Sequence, residues 1–453
     1  MAEAPSTDGA ASPYPLRSHA AVVEAEPLQP PEPSSGLAGP PRRSQRFSTS
    51  TFDALADRSF RWYFFSMCGW FASMNMEMVV RGWLVYDLTS SYAALGLVSL
   101  AHAVPGLTLS LPGGVIADKV MKKRSVQVGQ IANVGVAITL AVLMLAGLIE
   151  LWHLLAGAVM QGAINAMILP ARQSMISEFV PDERLMNAVA LSTAGMNVMR
   201  LVAPALGGAL LAATGPGSVY LLIGVLFLFS AVALLPVPGV QPVPRAGQTV
   251  IGAVRDGIAD IRLGFQYMNR EKVVFLILSL NLAIVLFSMP YQMLLPGFAK
   301  EVLGADAGRL GILMSVSGVG ALLGSLIIAS LPPRNRGMIL MMSALVMGIA
   351  LVAFSVSTWF WVTVPIMIFI GVGQAGRMSL GTVLLQSYTE SSYRGRVMSI
   401  YMLEFSVTAF MVFIVGAIAN VIGIQVALGA CSAIMLAIVL SVLIMSPRTR
   451  YLQ

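Results

Sequence analysis

Between residues 61 and 446 the chain repeats one pattern, an apolar run of roughly 20 residues followed by a short polar break. A bilayer core holds no water to satisfy backbone N–H and C=O groups. An α-helix satisfies them all within one segment, and about 20 mostly apolar residues carry a helix across. The runs fall near 61–86, 93–116, 126–149, 151–171, 187–213, 217–237, 273–299, 307–330, 337–357, 360–386, 396–421 and 424–446. They predict an all-α membrane protein with twelve transmembrane helices. Only 11% of residues are charged and 57% are hydrophobic, whereas soluble domains are charged at about one residue in four. A large soluble enzyme is therefore excluded.

The longest break divides the runs six and six, which gives five expected regions. Residues 1–55, rich in Pro and Ser without a periodic apolar face, read as a disordered tail. Residues 56–237 form an N-terminal six-helix bundle and 273–446 a C-terminal one, with a short tail at 447–453. Between the bundles, 238–272 contains "PVPGVQPVP" and then "RDGIADIRLGFQYMNREK". The latter reads as an amphipathic interfacial helix with Ile258, Ile261, Phe265 and Met268 on or near one face.

Basic residues orient the chain. Lys119, Lys122, Lys123 and Arg124 follow the second run, Arg172 and Arg184 the fourth, and Arg255, Arg262, Arg270 and Lys272 the sixth. Arg334, Arg336, Arg394, Arg396, Arg448 and Arg450 continue the series, while the opposite side shows only Lys300 and Arg309. The positive-inside rule then puts both termini in the cytoplasm of a bacterial inner-membrane protein. The formal net charge of +7 is explained by this bias and does not call for nucleic acid. Arg184 and Arg394 stand 210 positions apart, as do Gly114–Gly324 and Arg124–Arg334. Such a repeat favours alternating access around a central cavity.

The stretch "PGGVIADKVMKKR" at 112–124 ends the second run with glycines, one acid and several bases. It lacks the Gly-x-x-x-x-Gly-Lys-Ser/Thr spacing of a phosphate loop. It resembles the signature loop between the second and third spans of the major facilitator superfamily. That resemblance implies the major facilitator fold over about residues 60–446, with a conformational latch formed by Gly114, Asp118 and Arg124. The second-half copy, "GSLIIASLPPRNR", keeps Arg334 and Arg336 but has Ile328 at the acid position. A further stretch, "NVMRLVAPALGG" at 197–208, resembles the antiporter motif of that superfamily through Pro204, Gly207 and Gly208, with Ala203 replacing its first glycine. Finally, "WFASMNMEMVVRGWLVYDLTSS" and "VPDERLMNAVAL" resemble the branch that holds bacterial siderophore exporters, enterobactin's among them, and macrolide efflux proteins.

Polar residues inside the apolar runs nominate the working site. An ionisable side chain at membrane depth is costly unless it is paired or faces water. Glu77 and Arg81, four apart on one helix face, are candidates for proton coupling, with Glu404 as a further acid. A purely structural ion pair is the competing reading. Asn75, Asn165, Arg200, Asn281, Gln292, Gln374 and Arg377 are candidates for lining a substrate cavity. Three dispersed histidines and two lone cysteines make no metal site, and there is no ATP-binding motif. No cofactor is expected, and a proton gradient is the expected energy source.

The function expected is therefore secondary active transport, with proton-coupled antiport exporting an amphiphilic small molecule such as a siderophore or a drug. The alternatives are an importer, a lysolipid- or lipid-flipping carrier, and a non-transporting membrane scaffold. Expected partners are the amphiphilic substrate and membrane lipid, with no nucleic acid, and the chain is expected to be a monomer. Nucleophile–base pairs and ligating histidines at depth are lacking, so no enzyme activity is expected.

Overall fold

A computed structural model describes residues 54–119, 121–239, 250–332 and 334–445. The tail expected at 1–55 falls outside the described residues as far as residue 53, and so does the segment 447–453. Fifteen α-helices run through the described residues. The first half holds α1 (Arg58–Thr89), α2 (Tyr92–Lys119), α3 (Lys122–Leu145), α4 (Leu151–Phe179), α5 (Asp182–Thr214) and α6 (Pro216–Ala233). Next come α7 (Val250–Arg270), α8 (Lys272–Ser288), α9 (Pro290–Glu301), α10 (Ala307–Ser330) and α11 (Arg336–Val356). The chain ends with α12 (Phe360–Tyr388), α13 (Arg394–Met402), α14 (Glu404–Ile422) and α15 (Ile424–Met445).

Eleven helical segments, not twelve, are long and apolar enough to cross a membrane among the described residues. The one that falls short is α1, although it is 32 residues long and capped by the Asp57 carboxylate, which accepts from Ser59 N–H at 2.8 Å. Asn75, Glu77, Arg81 and Asp87 dilute its apolar content. Each has a partner: Asn75 bonds Phe71 O, Glu77 pairs with Arg81, and Asp87 pairs with Lys300.

Two runs expected to be single helices are each broken once. The seventh splits into α8 and α9 at Pro290, which lacks the N–H that would continue the ladder and sits at the first turn of α9. The eleventh splits at Leu403, whose N–H turns back to Ile400 O at 3.1 Å. That i−3 bond tightens the backbone immediately before Glu404.

The repeat seen in the sequence reappears in the packing. The α2–α4 contact is matched by α10–α12, and α3–α6 by α11–α15. Two contacts join the halves, α5 against α10 and α2 against α14, and they are counterparts of each other. Helices without a hydrophobic force between them need small residues to approach closely. A Cβ at Gly162 would collide with His102 O on α2, and one at Gly371 would collide with Ser317 O on α10.

The amphipathic stretch of the linker is α7. Its Met268 is buried and Ile261 half-buried, but Phe265 is exposed, and the Ile258 side chain lies outside the described residues. Gly264 and Tyr267 complete the docked face instead. Tyr267 stacks on Tyr393 at 4.3 Å between ring centroids, and Asp260 accepts from Arg396 Nε at 2.7 Å.

Candidate functional site

Helices from both halves line a small central pocket. Asn75 and Met78 come from α1, Arg200 and Pro204 from α5, and Tyr291, Gln292 and Leu295 from α9. Met314 and Ser317 of α10 and Met367 of α12 complete the lining. The wall is thus methionine-rich and pliable, with a few convergent polar groups, the usual composition of a small-molecule site. Asn75 donates to Phe71 O at 2.8 Å within its own helix, leaving its amide oxygen for the pocket. Tyr291 hydrogen-bonds Ser317 and lies within electrostatic reach of Arg200.

Of the seven residues expected to line a cavity, Asn75, Arg200 and Gln292 meet in this pocket. The other four lie elsewhere. Asn281 is fully buried on α8 and donates to Ile277 O at 3.0 Å. Gln374 is buried, with its amide 3.9 Å from the Met289 sulfur. Asn165 is on α4, where its amide oxygen is buried. Arg377 is only 1% exposed and pairs with Glu404 at 3.4 Å, so it belongs to the interior of the C-terminal half and not to the pocket lining.

Glu77 and Arg81 form an ion pair, also away from the pocket. On α1 their direction is about a third of a turn from Asn75 and Met78, as 3.6-residue periodicity requires. They point toward α4 and α6. The Gln161 amide of α4 donates to the Glu77 carboxylate at 2.6 Å and accepts from Arg81. The fully buried Tyr220 phenol of α6 stands beside both charges, and His102 of α2 faces Arg81. Glu77, 4% exposed, is therefore enclosed by protein on every side rather than turned to lipid. Gln161 and Tyr220 were not singled out from sequence. An amide inside an apolar run was the available signal for Gln161, and Tyr220 carried none.

The antiporter-like motif separates into three tasks. Pro204 lines the pocket. Gly207 faces the α1 backbone, where an added Cβ would lie 3.3 Å from Met76 Cα. At Gly208 a Cβ would come within 2.5 Å of Ala307 O and 2.9 Å of Gly311 Cα, so this glycine permits the α5–α10 contact between halves.

The expected latch is only partly described. Gly114 and Asp118 lie at 110–119 of α2, whose side chains fall outside the described residues. Arg124 and Arg334 are exposed, and Arg336 is half-buried at the start of α11. Neighbouring bases have partners in their own half. Lys122 pairs with Glu178, and Lys123 donates to Leu235 O at 2.9 Å and Val237 O at 2.5 Å.

At the opposite end the halves are tied together. Tyr92 OH donates to Glu301 at 2.8 Å, Tyr86 OH donates to the same carboxylate, and Lys300 pairs with Asp87. Asn420 accepts from Tyr92 N–H at 2.8 Å and donates to Ser91 Oγ at 2.9 Å.

Known proteins place this geometry in a family. The staphyloferrin A transporter of Staphylococcus aureus is 24% identical over 374 residues, 80% of this chain and 90% of its own length. An uncharacterized MFS-type transporter of Bacillus subtilis is 27% identical over 241 residues, 52% of this chain and 55% of its own length. A solved POT family transporter in complex with 5-aminolevulinic acid has the same fold, with a TM-score of 0.71 at 12% identity over 87% of this chain and 97% of that one. These relatives are transporters, and the protein is a transporter rather than an enzyme. Residues 49–450 match the transmembrane secretion effector family, and the chain belongs to that family of multi-pass bacterial membrane transporters within the major facilitator superfamily.

Proposed function

We propose that this protein exports an amphiphilic small molecule, siderophore-like or drug-like, across the bacterial inner membrane in exchange for protons. The observation that carries this reading is the pairing of two separate sites on α1. Asn75 and Met78 face a pocket shared by both halves, while Glu77, one residue before Met78, is held by Arg81 and Gln161 inside the N-terminal bundle. Cargo and proton then act on different faces of one helix, and rotation of α1 links them. The likeness to the staphyloferrin A transporter supports a siderophore-like cargo.

The proposed cycle follows from the energetics of the buried pair. Removing one partner's charge from such a pair costs about 3–5 kcal/mol, because the other is left uncompensated. Protonating Glu77 therefore biases α1 toward an arrangement in which Arg81 finds other acceptors. A proton gradient supplies about 1.4 kcal/mol per pH unit, and the membrane potential adds about 2.3 kcal/mol per charge per 100 mV. By the positive-inside bias the α2–α3 junction and both termini lie inside, which makes the Tyr92–Glu301 end the outer face. The closed outer end supports an inward-facing resting state. In this reading Gly114, Asp118 and Arg124, with Arg334 and Arg336, close the inner side later in the cycle, and the exporter works as a monomer.

The test is transport into proteoliposomes with an imposed pH gradient, using labelled siderophores and macrolides as probes. Movement that follows the gradient in the native protein and ignores it in Glu77→Gln is the expected result. Movement indifferent to the gradient in both would end the antiport mechanism.

A further inference from the structure

The pocket carries one uncompensated charge. Arg200 is the only ionisable cation or acid among the pocket-lining residues described, and no carboxylate pairs with it among the described ion pairs. The two acids buried deepest in the bundles are already matched, while the buried Arg172 lies outside the pocket, against Ser230 Oγ and the Trp70 ring. Glu77 is bound to Arg81, and Glu404 to Arg377, each acid no more than 4% exposed. The remaining polar lining groups, Asn75, Gln292, Ser317 and the Tyr291 phenol, are neutral.

We infer that the cargo is an amphiphilic anion whose single acid group docks on Arg200. This rests on the transport reading above and names the substrate class for that same pocket. A guanidinium presents a planar fork that a carboxylate-type group meets with two parallel hydrogen bonds. A half-buried cation without a partner is also unfavourable in an apolar wall, so an acidic ligand relieves it while a neutral one does not. A cationic ligand adds repulsion. Tyr291 lines the same pocket within electrostatic reach of Arg200, and its hydroxyl is a further polar group for the cargo. The rest of the cargo then lies on Met78, Met314, Met367 and Leu295, an apolar surface that accommodates different bodies behind one fixed acid. Specificity is set by the charge, and tolerance by the methionines.

In the sequence Arg200 and Arg377 stand as equals, and two cavity arginines would fit a dianion. The Arg377–Glu404 pair removes the second cation. The pocket thus offers one cation, Arg200, for one acid group.

Binding and transport test this separately. Dansyl-phenylalanine, its primary amide and dansylcadaverine present a dansyl body with an anionic, neutral or cationic end. Their fluorescence is titrated against the purified full-length protein with no gradient present. The free acid should bind at least about tenfold tighter than the amide, equivalent to about 1.4 kcal/mol, and dansylcadaverine weakest. Arg200→Gln should remove the preference, so that acid and amide bind with about equal affinity. Arg200→Lys, which keeps the charge but not the fork, should recover part of the difference and guards against a folding failure. Equal binding of acid and amide by the native protein, or preference for the cation, overturns the inference. If the acid is preferred but no probe moves with a pH gradient, the export reading fails and the Arg200 site stands. Gradient-driven movement of the amide or the cation alone overturns the Arg200 assignment and leaves the export reading standing.

Discussion

The Tyr92 hydroxyl at the start of α2 lies 2.8 Å from the Glu301 carboxylate at the end of α9, and so joins the two halves of the chain. Tyr86 donates to the same carboxylate. Hydrogen bonds to an ionised group contribute about 1.5–3 kcal/mol each. Glu301→Gln should therefore shift the equilibrium toward the form open at this end by about tenfold or more. Spin labels at the exposed Leu88 and Val421, one on each half at this end, would report longer distances in that variant. An unchanged distance distribution would mean that the helix contacts alone hold this end shut.

The Lys300–Asp87 pair lies at the same end but is solvent-exposed. Exposed pairs contribute about 0–1 kcal/mol, so Lys300→Gln should leave the same distances nearly unchanged. The contrast between the two variants separates a bond that closes this end from a neighbour that decorates it.

Gly208→Ala places a methyl group 2.5 Å from Ala307 O, where the partner is backbone and has little freedom to yield. Overpacking of this kind costs about 1–3 kcal/mol. A lowered melting temperature and loss of transport are expected together. Gly135→Ala, whose added methyl would meet nothing within 4 Å, is the matched control and should be silent in both.

Glu404→Gln leaves Arg377 buried without its counter-charge and should destabilise the protein by about 3–5 kcal/mol. Binding of dansyl-phenylalanine should nevertheless survive in the folded fraction, because Arg377 does not line the pocket. A variant that folds normally but loses binding would relocate the site toward α12.

Asp118→Asn tests the latch from its sequence position. The second half has Ile328 where a matching acid would stand, so nothing compensates for the loss. Transport should slow while affinity for the dansyl probe stays the same. Unaltered turnover would remove the latch role.

The apolar runs alone determined that this chain is a helical membrane protein, because a bilayer permits few other solutions to the backbone's hydrogen bonds. The glycine–acid–base stretch at 112–124 made the superfamily legible, and the second-half copy made the internal repeat legible. The breaks at Pro290 and Leu403 were partly hidden, since only the first carries a residue that interrupts a helix. What the polar residues do was not legible. Asn75 and Glu77 are two positions apart in the same run, yet one faces the central pocket and the other faces Gln161. Arg200 and Arg377 look alike as isolated cations in apolar sequence, yet only Arg200 is open to a ligand. Helical phase sets which way each side chain points. What stands opposite comes from helices more than 80 positions away in the case of Gln161, and from the other half in the case of Tyr291. Burial and pairing are properties of those long-range neighbours, so only the tertiary structure decided which charges are paired in the interior and which stands in the pocket.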